Sequence, residues 1–341
     1  MLLSICIPTY NRSDKLINLL KELLIQCDGK QIEIIVSDNA STDGTRNKCL
    51  ELGKLNPQIH YHTNKFNLGF SENIRRVVSL SKGKYVWVIG DDDIISYNTI
   101  DHIYEFLINS NDLYNIIVLN MCRVGYNQNF LDCKTEFNNN KNLINVSLDE
   151  ILQFTGSWLS FMSINIFNGC KVRDALVFIP VKKSDYFVFW LTIYIGSSGR
   201  CSFLSKTLVI RRKFDNNLSS HGFLSWKTYL VDFLQPLNWA VYNKIIMPTT
   251  RNKLMTEMYK GFGLYVFIRF LLTSDSKYAK LELLKTNYMI PQFWIYMAPI
   301  LVLHRSIIKA LIILISKFLY FINRKELSEK IGKLNFKDNR L

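Results

Sequence analysis

Between residues 2 and 89 the chain alternates two hydrophobic patterns. Residues 2–7 form a short apolar run that stops at Pro8-Thr9-Tyr10-Asn11, and behind it Leu16, Leu19, Leu20, Leu23 and Leu24 recur at helical spacing, with Ser13 placed to cap. The pattern predicts a strand followed by a helix. It then repeats: residues 32–36 form a second apolar run, the polar segment 37–44 stops it, and 45–52 reads as another helix. A third short strand is predicted at 59–62 and a third helix at 70–81, introduced by Asn67-Leu68-Gly69. Gly83 then turns the chain into a fourth run at 85–89. That run is apolar throughout, as a strand covered on both faces must be. Alternating strand and helix predicts an α/β class with a mostly parallel, doubly wound sheet, and ligands of such sheets sit beyond the carboxyl ends of the strands. The polar clusters ending the first, second and fourth runs therefore converge on one crevice. Farther on, 116–121 and 204–211 read as strands and 186–194 as a helix. Beyond Trp226 the chain becomes helical and aromatic-rich, and 291–322 is its most apolar stretch. The expected organisation is an α/β domain at 1–235 and a helical, apolar and basic region at 236–341.

Composition narrows this picture in two ways. With 48% apolar residues in 341, the chain has hydrophobic area enough for a sizeable core, which excludes disorder. A net charge of +14 points to anionic partners, which nucleotide phosphates, acidic lipid headgroups and nucleic acid all satisfy. The basic residues are dispersed and no nucleic-acid recognition motif is present, so nucleic acid is not expected. Seven scattered cysteines without a CxxC pair suggest neither a zinc site nor a disulfide framework, and read as reduced thiols in cytosol. The N-terminus has no basic region ahead of a long apolar run, so no signal peptide is expected.

The candidate chemistry begins with Asp91-Asp92-Asp93 at the end of the fourth run. Adjacent carboxylates raise one another's pKa and repel unless a cation neutralises them. Mg²⁺ or Mn²⁺ suits such a site, because it is held by one or two carboxylates and keeps its other positions for water and phosphate oxygens. A solvated acidic turn or helix cap fits the same residues. Asp38 and Asn39 end the second run, placed to hydrogen-bond a base edge or a ribose hydroxyl, or to make an ordinary Asx turn. Asp43-Gly44 reads as turn and cap. Pro8-Thr9-Tyr10-Asn11 offers backbone groups and an aromatic face, or simply a stiff turn.

Taken jointly, the runs 5–12 (Ile-Cys-Ile-Pro-Thr-Tyr-Asn-Arg) and 34–45 (Ile-Ile-Val-Ser-Asp-Asn-Ala-Ser-Thr-Asp-Gly-Thr), then Asn67-Leu68-Gly69 and Asp91-Asp92-Asp93, resemble family 2 glycosyltransferases in order and spacing. Within that family the wording is most similar to bacterial O-antigen enzymes of the abequosyltransferase type, which use a CDP-dideoxyhexose. The resemblance implies a GT-A fold, a nucleotide diphosphate sugar donor and a Mn²⁺ or Mg²⁺ cofactor. It implies that Pro8, Thr9 and Tyr10, with Asn11, contact the nucleotide and that Asp38, with Asn39, reads the base. Asp93 is then the metal ligand and Asp92 lies near the ribose or supports the metal. Asp91 occupies a donor-side position that other members fill with a small residue. The family's general base usually comes from a Glu-Asp pair before a helix, which this chain lacks. The nearest counterpart is Ser184-Asp185-Tyr186, so Asp185 is the candidate base and equally a candidate helix cap. Both inversion and retention stay open. Arg211-Arg212-Lys213 and the segment ending at His221 resemble the loop that closes over the diphosphate. Arg212 is thus a candidate phosphate contact and His221 a candidate addition to the metal shell, beside readings as a solvated charge run and a surface histidine.

At the C-terminal end, His304, Arg305, Lys309 and Pro299 interrupt the apolar stretch, so a clean membrane span is not expected. Arg305, Lys309, Ser316, Tyr320 and Arg324 share one helical stripe, with Ile308, Leu311, Ile312, Ile315, Leu319 and Ile322 around it. A basic amphipathic helix of this kind suits the interface of an anionic membrane, and also a core helix or an oligomer contact. The expectation is a cytoplasmic enzyme, peripheral on the inner face of the cell membrane. It would move a hexosyl or deoxyhexosyl group onto a lipid-linked or glycan acceptor of a bacterial surface polysaccharide, with a homo-oligomer as the alternative use of the helices. A nucleotidyltransferase is a rival, but it needs a glycine-rich loop where residues 8–12 carry no glycine. A noncatalytic carbohydrate- or membrane-binding protein of the same fold is the other rival, and metal-dependent donor hydrolysis separates it.

Overall fold

The first apolar runs and helical spacings become β1 (Leu3–Thr9), α1 (Ser13–Cys27), β2 (Ile32–Asp38), α2 (Thr45–Leu55), β3 (Ile59–Thr63), α3 (Phe70–Ser79) and β4 (Tyr85–Val88). Every residue of β1, β2 and β4 is buried, and α1 turns Leu16, Leu19, Leu20 and Leu23 inward, as their spacing requires. Each such side chain removed from water contributes about 1.5–3 kcal/mol. The computed structural model describes residues 1–110, 114–124, 133, 135–179, 186–212, 232–259, 284–285, 287 and 289–296.

The second half holds β5 (Ile94–Ile95), α4 (Thr99–Asn109), β6 (Tyr114–Val124), β7 (Leu143–Val146), α5 (Leu148–Thr155), β8 (Asn165–Asn168), α6 (Gly169–Phe178), α7 (Phe187–Gly196) and β9 (Arg200–Arg212). Two 3-10 turns, Gly156–Ser160 and Met162–Ile164, lie between α5 and β8. Then come α8 (Leu234–Tyr242), α9 (Pro248–Met258) and α10 (Pro291–Tyr296).

The sheet runs β3-β2-β1-β4-β8-β6-β9-β5, with β7 also pairing β9. The half built from β3, β2, β1 and β4 is parallel, as the strand-helix alternation predicts. Beyond it β8 runs antiparallel to both β4 and β6, while β6 and β9 are parallel to each other. Two antiparallel steps restore the direction, so β6 and β9 point the same way as β1–β4. Their carboxyl ends therefore lie on the edge of the sheet where Thr9, Asp38 and Asp91 emerge.

The opposite edge is closed by buried polar stitching. Glu33 accepts from Ser4 Oγ at 2.6 Å and from the Lys82 amide at 2.7 Å, and Ser4 Oγ accepts from the Gly83 amide at 2.7 Å. Where β8 meets β4, Gly169 donates its amide to the Lys84 carbonyl at 2.6 Å. A Cβ on Gly169 would collide with the Gly83 carbonyl and lie 2.9 Å from that of Lys84. Only a residue without a side chain fits.

The cysteines depart from the expectation of free thiols throughout. Cys122 near the end of β6 is bonded to Cys133, while Cys6, Cys27, Cys49 and Cys201 are free and buried and Cys170 is free and exposed. A separation of eleven residues carries no sequence signature, and the register of β6 supplies the proximity.

The chain divides into two units, Met1–His221 with Pro236–Thr250 and Gly222–Gln235 with Arg251–Leu341. In the first, Trp239 packs on Tyr194 and Trp190 (ring centroids 5.7 and 6.3 Å apart). In the second, Tyr259 donates to Asn287 Oδ1 at 2.7 Å and packs on Phe293. The basic amphipathic stretch expected at 305–324 lies outside the described residues. Among those described, no helix is long and apolar enough to cross a membrane.

Gly169→Ala is expected to lower stability by about 1–3 kcal/mol through this backbone collision. Urea unfolding of the full chain measures it, and an unchanged midpoint would show that the β4–β8 approach is not tight.

Candidate functional site

Three strand ends build the site. The turn after β1 brings Tyr10, Asn11 and Arg12, the loop after β2 brings Asn39 to Asp43, and β4 runs out through Gly90 into Asp91, Asp92 and Asp93. Asp91 and Asp93 are buried, and the Asp92 side chain is 11% exposed. A Cβ at Gly90 would sit 2.8 Å from Asp93 Oδ2, so a larger residue there would press on that carboxylate.

The cluster is neutralised from within. Arg12 Nη1 donates to Asp91 Oδ1 at 2.8 Å and lies 3.0 Å from Asp92 Oδ2, while Thr9 Oγ1 donates to Asp91 Oδ2 at 2.7 Å. Burial opposes the Arg12 charge, yet Asp91 and Asp92 outweigh it and hold its pKa above the ordinary value. Burial raises the Asp91 pKa, and Arg12 works against that rise. Asp93 is buried as well: burial pushes it up to about 7, against a hydrogen bond donated by Ser163 Oγ and the nearby charge of Arg211. The Ser163 hydroxyl also accepts from the Gly90 amide at 2.9 Å, and its carbonyl accepts from Trp87 Nε1 at 2.8 Å. A 3-10 turn is thereby fastened to β4.

The loop after β2 is held by a network of amides. Asn73 of α3 accepts from Ser37 Oγ and Asn64 Nδ2 and donates to the Ser37 carbonyl at 2.9 Å. Asn39 is used completely: Oδ1 accepts from Asn64 Nδ2 at 3.1 Å and the Leu68 amide at 2.8 Å, and Nδ2 donates to Asn67 Oδ1 and the Gly69 carbonyl. Asp38 accepts from the Ser41 amide at 2.9 Å and from the Tyr61 hydroxyl. Asp43 accepts from the amides of Ser13 and Thr45 at the starts of α1 and α2, which bears out its reading as turn and cap.

The sequence-derived residues therefore fall into groups. Pro8 and Thr9 are buried in β1, whereas Tyr10, 44% exposed, and Asn11 are open. Asn11, in the left-handed region at φ 51°, accepts from the Thr42 amide and ties the first loop to the second. Asn39 and Asp91, expected to face a ligand, spend their polar atoms inside the protein. Arg212 ends β9 opposite Val124, and its side chain, like Asp185 and His221, lies outside the described residues. Arg12 and Ser163 are the residues sequence reasoning missed. For Arg12 the signal was present, since it is the basic residue that closes the first polar cluster; Ser163 had none.

Among the described residues no three His, Cys, Asp or Glu side chains converge as a metal cage. What the cluster offers is unmatched carboxylate oxygen. Asp92 Oδ2 is buried without a hydrogen-bond donor in proper geometry, despite its 3.0 Å approach to Arg12, and Asp93 is a carboxyl that burial disfavours as an anion. That donor set fits Mg²⁺ or Mn²⁺, held by one or two carboxylates and completed by a ligand's phosphate oxygens.

Residues 4–167 match the family model of Glycosyl transferase family 2. A 116-residue stretch is 40% identical to abequosyltransferase RfbV of Salmonella typhimurium, covering 33% of this chain and 35% of that protein, so the likeness spans about a third of that relative. The fold is similar to that of TarS from S. aureus, solved in complex with UDP-GlcNAc (TM-score 0.62, 17% identity, 98% of this chain and 90% of that one). It is also similar to mannosyltransferase PcManGT from Pyrobaculum calidifontis, solved with GDP-Man and Mn²⁺ (TM-score 0.51, 13% identity, 99% and 88% coverage).

Arg12→Ala leaves two carboxylates without their guanidinium and is expected to cost about 2 kcal/mol of stability, below the range for fully buried pairs because Arg12 is partly open. Arg12→Lys should recover only part of this, since one ammonium cannot span both carboxylates as the guanidinium does. Chemical denaturation in metal-free buffer checks both variants. Equal stability of Arg12→Ala and the parent would remove Arg12 as the cluster's counter-charge.

Proposed function

We propose that this chain, whose residues 4–167 belong to glycosyl transferase family 2, moves a hexosyl or deoxyhexosyl group from a nucleotide diphosphate sugar to an acceptor hydroxyl. The observation that carries the reading is the acidic corner at the end of β4, on the same sheet edge as the Asp38 loop. An anionic donor whose base lies over β1 and β2 would bring its diphosphate to that corner.

In this reading Tyr10 lies along the base and Asp38 accepts from it, with the Tyr61 hydroxyl and the Ser41 amide fixing the carboxylate's orientation. Asp92 faces the ribose and Asp93 holds the metal. Thr9, Arg12 and Asp91 keep those two carboxylates in place. Mn²⁺ or Mg²⁺, when bound, supplies Lewis-acid stabilisation of the departing diphosphate. The bond from the anomeric carbon to the diphosphate oxygen breaks with its electron pair leaving on the nucleotide, and the acceptor oxygen bonds to that carbon. The acceptor's proton passes to a base, for which Asp185 is the candidate. Arg212 and His221 are assigned to the phosphate and metal side. The likeness to an abequosyltransferase supports a bacterial surface glycan as the product. On this reading the α/β domain covers 1–235, and residues 236–341, with their basic stripe, hold the enzyme peripherally on the inner face of the membrane, near a lipid-linked acceptor.

A panel of UDP, CDP, GDP and dTDP sugars, assayed with Mn²⁺ and with chelator, tests the proposal. One donor should be turned over with the ion present. Asp93→Ala should reduce that turnover by about a hundredfold or more while the melting temperature holds, because the carboxyl removed is one that burial disfavours. Full activity in that variant would remove the assignment.

A further inference from the structure

Arg123 and Arg211 are register partners near the carboxyl ends of the parallel strands β6 and β9, so both side chains leave the same face of the sheet. Both guanidinium groups lie on the ring of Trp158, with Cζ 4.9 Å and 5.4 Å from its centroid, and Arg211 is also 5.0 Å from the ring of Phe161. Like charges directly opposite on neighbouring strands normally destabilise a sheet. Here Arg123 is gripped by Glu136, with Nε donating to Oε2 at 2.7 Å and Nη2 to Oε1 at 3.2 Å, and the aromatic faces attract both cations.

The place of this pair is as telling as its chemistry. Trp158 and Phe161 belong to the short segment that also carries Ser163, which donates to Asp93, and the charge of Arg211 reaches Asp93. In the strand order the pair lies on the far side of β4 from β1 and β2, where the Asp38 loop emerges. It therefore flanks the acidic corner on the side opposite the proposed base position.

We propose that Arg123 and Arg211, both packed on the ring of Trp158, form a fork for an anionic group of the substrate, a phosphate or a carboxylate, with Trp158 as the positioning residue. Two guanidinium groups on neighbouring strands, both packed against one indole, can contribute donors to the same anion, with Arg123 doing so beside its Glu136 contacts. The proposal leans on the glycosyl-transfer reading only for the source of the anion, which is either the donor's diphosphate or a charged group on the acceptor or transferred sugar.

The test uses the full chain and inorganic phosphate as probe, with binding followed by phosphorus NMR. Arg123→Gln and Arg211→Gln should each weaken phosphate binding by about tenfold, the loss expected for a charge-assisted contact. Trp158→Ala should do the same, whereas Trp158→Phe, which keeps an aromatic face, should stay within about threefold. Phosphate affinity unchanged in both arginine variants overturns the fork, and Trp158→Phe as weak as Trp158→Ala overturns the positioning role. Affinity for CDP and UDP with Mn²⁺ then identifies the source. A loss parallel to that for phosphate assigns the fork to the donor's diphosphate, and retained nucleotide affinity assigns it to the acceptor or sugar. A parent chain that binds phosphate but neither nucleotide would count against the proposed function and leave the fork standing.

Discussion

Three carboxylates at the end of an apolar strand cannot stay ionised and buried without cations, and much of the crevice is arranged around that requirement. Arg12 answers part of it from the turn after β1, bridging Asp91 and Asp92 while Thr9 takes the remaining oxygen of Asp91. Asp93 stays apart, fastened to Ser163, with its proton affinity pushed up by burial. Among the described residues, Arg12 and the charge of Arg211 face three carboxylates, and Asp92 Oδ2 is left without a hydrogen-bond donor.

The neighbouring loops follow the same economy of polar groups. Asn39 and Asn73 each make several hydrogen bonds that link the ends of β1, β2 and β3 to the start of α3. Buried amides of this kind give a loop the rigidity of an element, because any displacement leaves several donors and acceptors unmatched. Asp38 gains a fixed orientation from that frame.

Most of the parallel half was legible in residues 2–89, since apolar runs and the leucine spacing of α1 report burial directly. The later half was harder for definite reasons. β5 has two residues, β7 is largely exposed, and α5 and α6 are short, so their periodicity has little length in which to show. Candidate site residues were legible by kind and not by role. Asn39 and Asp91, expected to face a ligand, also hydrogen-bond within the protein, and sequence cannot say which side of a loop an amide turns toward. The Cys122–Cys133 bond depends on strand register, and Trp158 gains its place only when β6 and β9 come together.

The Thr9–Asp91 hydrogen bond has a mechanical consequence. It ties the last residue of β1 to the segment just beyond β4, two strands that pair over Leu3–Cys6 and Tyr85–Val88, and the Asn39 backbone amide in turn donates to the Thr9 carbonyl. The floor of the crevice is thus cross-braced, and separating the ends of β1, β2 and β4 would break these bonds together.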